Sequence, residues 1–153
     1  MVVNKQRPKK IVVAVSGGFD PVHTGHIQLF EEAKKLGDEL IVILNNDNWL
    51  KKKKGFFFIN VKERKQIIEA IKWIDKIVIT KHGPNSQDMS VKKELAKIKP
   101  DIYANGGDRT KDNIPEIGLC KRLGIKMVFN VGGGKIQSSS WLLKKFLSHI
   151  KEI

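Results

Sequence analysis

Apolar residues follow two rhythms along this chain. Short runs, most of them β-branched, stand at 11–15 (IVVAV), 40–44 (LIVIL), 76–80 (KIVIT), 101–104 (DIYA) and 126–131 (KMVFNV). Runs of this kind read as strands buried on both faces. Between them the spacing changes to steps of three and four. Ile27, Phe30, Ala33 and Leu36 share one face of a helix over 24–36, which Gly37 stops. Ile67, Ile68, Ala70 and Ile71 mark a second helix. Asn60-Val61-Lys62-Glu63 opens it in the form of a capping box, with Asn in place of Ser or Thr. Residues 89–99 read as a third helix, ended by Pro100. Residues 114–123 read as a fourth, with Pro115 near its first turn and Gly124 as its stop. Ser138-Ser139-Ser140 opens a last helix running to residue 151. Residues 45–60 read as a long connection that holds Lys51 to Lys54 and then Gly-Phe-Phe-Phe.

Strands therefore alternate with helices, which predicts an α/β fold: a five-stranded parallel sheet with helices on both faces. Residues 9–153 are expected to form one domain, with residues 1–8 as a basic amino-terminal arm. In the strand order 3-2-1-4-5, strands 1 and 4 are neighbours at the switch point. Ligands bind there, outside the carboxyl ends of the strands.

Composition narrows the class. The 153 residues suit one core, and no apolar run approaches the roughly 18 residues of a membrane span. MVVNKQRPKK lacks the apolar stretch of a secretory signal. Cys120 is the single cysteine, which excludes a disulfide framework and a cysteine-built zinc site; a cytoplasmic location is expected. The net charge of +13 favours an anionic partner, whether nucleic acid, a membrane surface or a polyphosphate substrate. A plainer reading competes: 25 of the 29 basic residues are lysines spread along the chain, so composition alone accounts for the charge.

Three segments dense in small and polar residues follow strands 1, 4 and 5: SGGFDPVHTGH, NGGDRTKDN and VGGGKIQSSS. Gly17 and Gly18 allow close backbone approach. The helix after them offers unpaired amides and the positive end of its dipole to an anion. His23 and His26, three residues apart, can face the same way, and Gly25 between them blocks nothing. Ser138, Ser139 and Ser140 can offer hydroxyls and amides to a second phosphate, or simply cap a helix. Other motifs fail. Asp20, His23 and His26 lack a further zinc ligand. VGGGKIQSSS is no Walker loop, since Phe129 stands at the first glycine position and Ile136 follows the lysine. SGGFDP lacks the G-x-G-x-x-G spacing. Cys120 sits mid-helix at a position suited to packing.

GGFDPVHTGH resembles the H-x-G-H signature of the nucleotidyltransferase superfamily of cytidylyltransferases and small adenylyltransferases. KERKQIIEAIKWIDKIV resembles that family's E-R motif with its following helix and strand. NGGDR is similar to its G-G-D loop, and QSSSWLL to its S-[ST]-[ST] motif. The resemblance covers nearly the whole chain and implies a Rossmann-like fold. It also implies transfer of CMP or AMP from CTP or ATP to a phosphorylated acceptor, with Mg²⁺ and release of pyrophosphate. Glycerol-3-phosphate cytidylyltransferases and the adenylyltransferase domain of heptose-phosphate enzymes are the nearest groups, so the expected acceptor is an alditol or sugar phosphate.

By position, the resemblance makes His23, His26 and Lys54 catalytic, with Lys54 as a mobile lysine over the triphosphate. Ser16, Gly17, Gly18, Phe19, Gly25, Gly107, Asp108, Arg109, Ser138, Ser139 and Ser140 would bind the nucleotide. Asp20 would serve the acceptor, and Arg64 the acceptor or the nucleotide phosphate unless it is a plain surface arginine of its helix; Asp20 is also a candidate contact for Mg²⁺ unless it only forms the turn before Pro21. No protein metal site is expected, and a homodimer is. Two departures stand out. Many members carry Thr where this chain has Gly18, and a motif arginine is replaced by Gly133, leaving Lys135 or Arg109 to supply its charge. Two rivals remain open. One is an adenylyltransferase making a cofactor from a pantetheine, flavin or nicotinamide acceptor. The other is a non-catalytic nucleic-acid-binding protein, disfavoured by the scarcity of interleaved aromatic and basic residues.

Overall fold

The computed structural model describes residues 7–107, 109–110 and 112–153. The strands are β1 Val12–Gly17, β2 Glu39–Leu44, β3 Lys76–Ile79, β4 Ile102–Ala104 and β5 Lys126–Val128. The helices are α1 Thr24–Lys34, α2 Asp47–Lys54, α3 Val61–Glu69, α4 Lys92–Ile98, α5 Ile117–Leu123 and α6 Ser139–Lys151. All five strands lie in one parallel sheet, as the alternation predicts, and their order is β3-β2-β1-β4-β5, the order expected.

The period of two along each strand divides the core into two layers. Val13, Val15, Leu40, Val42 and Leu44 pack with Phe30 and Ala33 of α1 and Ile68 of α3. Ala14, Ile43 and Tyr103 face the other layer, with Leu95 of α4 and Cys120 of α5. β1 is central, paired with β2 over its whole length and with β4 at Val13 and Ala14. The connections from β1 and β4 leave toward opposite faces. That divergence opens the crevice at the ends of these two strands.

One element departs from expectation. Residues 47–54 are helical rather than a plain connection. DNWLKKKK buries only Leu50, so it has no apolar stripe to signal a helix. Its ends are well formed. The Asn46 side chain accepts from the Trp49 N–H at 3.1 Å, and Gly55, at φ 84°, donates to the Lys51 carbonyl at 2.8 Å. β5 stops short of its expected end, since the chain turns through Asn130 at φ 55°. Most of the proposed arm, residues 1–6, lies outside the described residues. Among the described residues no helix is long and apolar enough to cross a membrane.

Candidate active site

α1 begins with an unusual cap. The Gly25 N–H donates to Nδ1 of His23 at 3.1 Å, and the His23 N–H donates to Nδ1 of His26 at 3.3 Å. The two imidazoles thus perform the reciprocal capping that Ser and Glu commonly supply. Their rings stack with centroids 3.7 Å apart. A Cβ on Gly25 would sit 3.0 Å from Cε1 of His23, so any larger residue would press on that ring. The ring of Phe19 meets His26 edge-on at 4.9 Å and Phe30 at 5.0 Å, backing the pair from the core. Phe19 holds φ 49°, a left-handed conformation that costs a non-glycine residue on the order of 1 kcal/mol.

This cap decides protonation. An Nδ1 that accepts a hydrogen bond carries no proton, so each neutral ring carries its proton on Nε2. Burial, Lys54 and Lys135 lower the pKa of His23. Burial, His23 and Lys54 hold His26 down at about 3. Near pH 7 both residues are neutral and each presents an Nε2–H donor; among the described residues no protein group accepts from it.

Both rings line a cleft of about 260 Å³. Gly107, Gly132 and Lys135 line it from the loops after β4 and β5, Ser138 to Ser140 from the start of α6, and Lys54 from the end of α2. No carboxylate among the described residues lines it. Two lysines, two imidazole donors and two helix starts make the cleft complementary to a polyanion. Ser138 also acts as the N-cap of α6, accepting from the Trp141 N–H at 3.0 Å. Gly132, at φ 86°, brings the loop after β5 against α1, where a Cβ would lie 3.1 Å from the Cα of Leu29. The run of three glycines was its only mark in the sequence.

Several residues expected at the substrate stand elsewhere. Arg64 is fully buried and does not reach the cleft as an acceptor ligand. Its Nε donates to the Ile59 carbonyl at 2.8 Å, its Nη1 to the carbonyls of Gly18 and Asn45 at 2.7 Å each, and its Nη2 to Asp47 at 2.8 Å. The guanidinium therefore ties the glycine loop, the end of β2, α2 and α3 together. Asp20 is likewise engaged within the protein. It is 3% exposed, and its oxygens accept the N–H groups of Phe58 and Ile59 at 2.7 and 2.9 Å. Ser16 does not line the cleft; its hydroxyl lies 2.7 Å from the Tyr103 hydroxyl beneath the sheet end. Arg109 turns to the same hydroxyl at 3.3 Å, so of the two replacements for the missing arginine it is Lys135 that lines the cleft. The Tyr103 hydroxyl is pushed up to about 12, chiefly by burial, and stays neutral. Gly17, Gly18 and Phe19 do not line the cleft. A Cβ on Gly18 would lie 2.7 Å from Cδ2 of Leu50, which occupies the space of the absent side chain. Asp108 lies outside the described residues.

The described residues do not form a cage for a metal ion. No three His, Cys, Asp or Glu side chains among them are grouped as ligands, and both oxygens of Asp20 are engaged. A divalent ion would have to arrive on the phosphates of a nucleotide.

Comparison with known proteins agrees with this geometry. The family model of cytidylyltransferase-like proteins matches residues 14–131. The chain is 42% identical over 105 residues to the FAD synthase of Pyrococcus horikoshii, covering 68% of each protein. It is 30% identical over 138 residues to the bifunctional protein HldE of Desulfatibacillum aliphaticivorans, covering 89% of this chain and 27% of that one. Among solved structures, the lipopolysaccharide core biosynthesis protein of Thermoplasma volcanium superposes with a TM-score of 0.64 at 28% identity, covering 79% of this chain and 96% of that one. With its sheet order, its histidine-capped α1 and a family match across most of its length, the chain belongs to the cytidylyltransferase-like family of nucleotidyltransferases.

Proposed function

We propose that the chain is an FMN adenylyltransferase, which joins the AMP of ATP to the phosphate of FMN and releases pyrophosphate. The reading of the acceptor rests on one observation, the 42% identity to a protein named FAD synthase. The sugar or alditol phosphate expected from the resemblance has less support.

The chemistry follows from the cleft. The second pKa of a phosphate monoester is about 6, so FMN reaches the site largely as a dianion and needs no strong base. An oxygen of that phosphate attacks the α-phosphorus of ATP. A new P–O bond forms, the bond to the β-phosphate breaks, and pyrophosphate leaves with the electron pair. Catalysis is then positioning and electrostatic stabilisation. The Nε2–H groups of His23 and His26 are fixed donors toward charge on the transferring group. Lys135 and the start of α6 hold the leaving phosphates, Lys54 stands over the transferring phosphate from the β2 side, and Mg²⁺ enters bound to ATP as part of the substrate. Neutral imidazoles suit this task, since they donate without forming a tight ion pair that would slow release.

The test is pyrophosphate release by the purified chain with Mg²⁺, ATP or CTP, and FMN, glycerol 3-phosphate or a sugar phosphate. FAD formed from ATP and FMN, and lost in His26→Ala, supports the reading. Release with another acceptor and none with FMN sinks it.

A further inference from the structure

Gly55-Phe56-Phe57-Phe58 has no part in the site as described. Its backbone is firmly held. Gly55 closes α2 and Asn60 caps α3. Between them Phe58 and Ile59 donate to the buried Asp20, and the Ile59 carbonyl accepts from the buried Arg64. Yet the rings of Phe56 and Phe58 stay 41% and 50% exposed, in edge contact with centroids 4.9 Å apart. Phe57 turns the other way, under Lys51. A single exposed apolar side chain needs no ligand. A pinned loop that holds two aromatic rings together in water, one residue past a lysine of the cleft, is better suited to a flat partner.

Topology gives that partner its side. α2 and this loop follow β2, whereas the glycine loops and the serines follow β4 and β5; the histidine pair, after β1, lies between. In an in-line displacement the attacking and leaving oxygens stand on opposite sides of the phosphorus. With the leaving phosphates at the serines, the acceptor enters from the β2 side, beside Lys54 and the two rings. We propose that Phe56 and Phe58, their rings meeting edge to face at 74°, form the platform for the isoalloxazine ring of FMN, which stacks on the face of Phe58 and is bordered by Phe56. An alditol phosphate has no flat face for them. The proposal rests on the FMN reading above and adds the structural basis of acceptor choice.

The test measures KM for FMN and for ATP separately, using FAD formation by the full chain. Phe56→Ala/Phe58→Ala is expected to raise the KM for FMN about 10-fold or more, the scale of a lost stacking contact, with the KM for ATP and the thermal midpoint unchanged. Phe58→Trp is expected to bind flavin and to quench its fluorescence more strongly than the wild type does. An unchanged KM for FMN in a double variant that still makes FAD overturns the platform and leaves the reaction standing. Equal rises in both KM values, or a Phe58→Trp protein that binds flavin without this added quenching, also overturn it. A wild-type chain that neither binds FMN nor makes FAD overturns the reaction itself, and the platform with it.

Discussion

The first turns of α1 and α3 invite comparison, because each carries a nitrogen-rich side chain that the motifs assign to substrate. In α1, His23 and His26 use Nδ1 to cap the helix and keep Nε2–H for the cleft. In α3, Arg64 turns inward and gives its hydrogen bonds to three carbonyls and a carboxylate. One helix start is a site and the other is the clamp that holds the site's walls. Motif likeness does not separate these roles. The number of donors left over after the local structure is satisfied does.

The comparison breaks most readily at Arg64. Arg64→Ala leaves the carbonyls of Gly18 and Asn45 buried without their donor and Asp47 without its partner. Stability is expected to fall by about 3–5 kcal/mol in urea unfolding, in the range for removing one partner of a buried pair. Arg64→Lys should recover only part of this, since a lysine cannot reach several carbonyls from one planar group. An Arg64→Ala chain of normal stability and a selectively raised KM for the acceptor would assign Arg64 to the substrate instead of to the clamp.

His26 reverses the pattern. His26→Ala is expected to lower turnover by about 100-fold or more, the scale of losing one fixed donor to a transition state. Near-normal turnover in single-cycle measurements would remove His26 from the chemistry.

His26→Gln sharpens the same point through pH. The folded pKa of His26 is about 3 against 6.5 for the free side chain, so the unfolded chain binds its proton first as pH falls. The stability His26 contributes is therefore present above about pH 6.5 and lost progressively toward pH 3. Subtracting the His26→Gln curve from the wild-type curve should leave that acid-side decline. A flat difference from pH 7 to 4 would mean that His26 is already solvated.

The smallest effect is expected at Ser138. Its hydroxyl caps α6, and Ser138→Ala should cost about 1 kcal/mol of stability. A rise in the KM for ATP beyond that of Ser139→Ala would show that the cap serves the nucleotide as well.

The five strands and their parallel pairing were legible because burial on both faces leaves continuous apolar runs, and because parallel strands require the helical crossovers that lie between them. The cleft's histidines, glycines and serines were legible too, since loops at strand ends must carry polar groups without a core to hide in. α2 was not. A helix with one buried residue shows no period, and only Asn46 and Gly55 marked its ends. The lysine run there proved to be the last turn of a helix, which points Lys54 at the cleft.

Local sequence by itself therefore determined where the chain extends and where it coils, because those properties depend on near neighbours and on period. It also determined the reciprocal imidazole cap, which closes within three residues. Only the tertiary structure decided which polar groups remain available to a ligand. Gly18 lies 46 residues from Arg64, and Phe58 lies 38 from Asp20. Whether a charged side chain finds such a distant partner or stays free is set by packing. A buried guanidinium or carboxylate must take every partner within reach, since leaving one unpaired costs more than the contact gains.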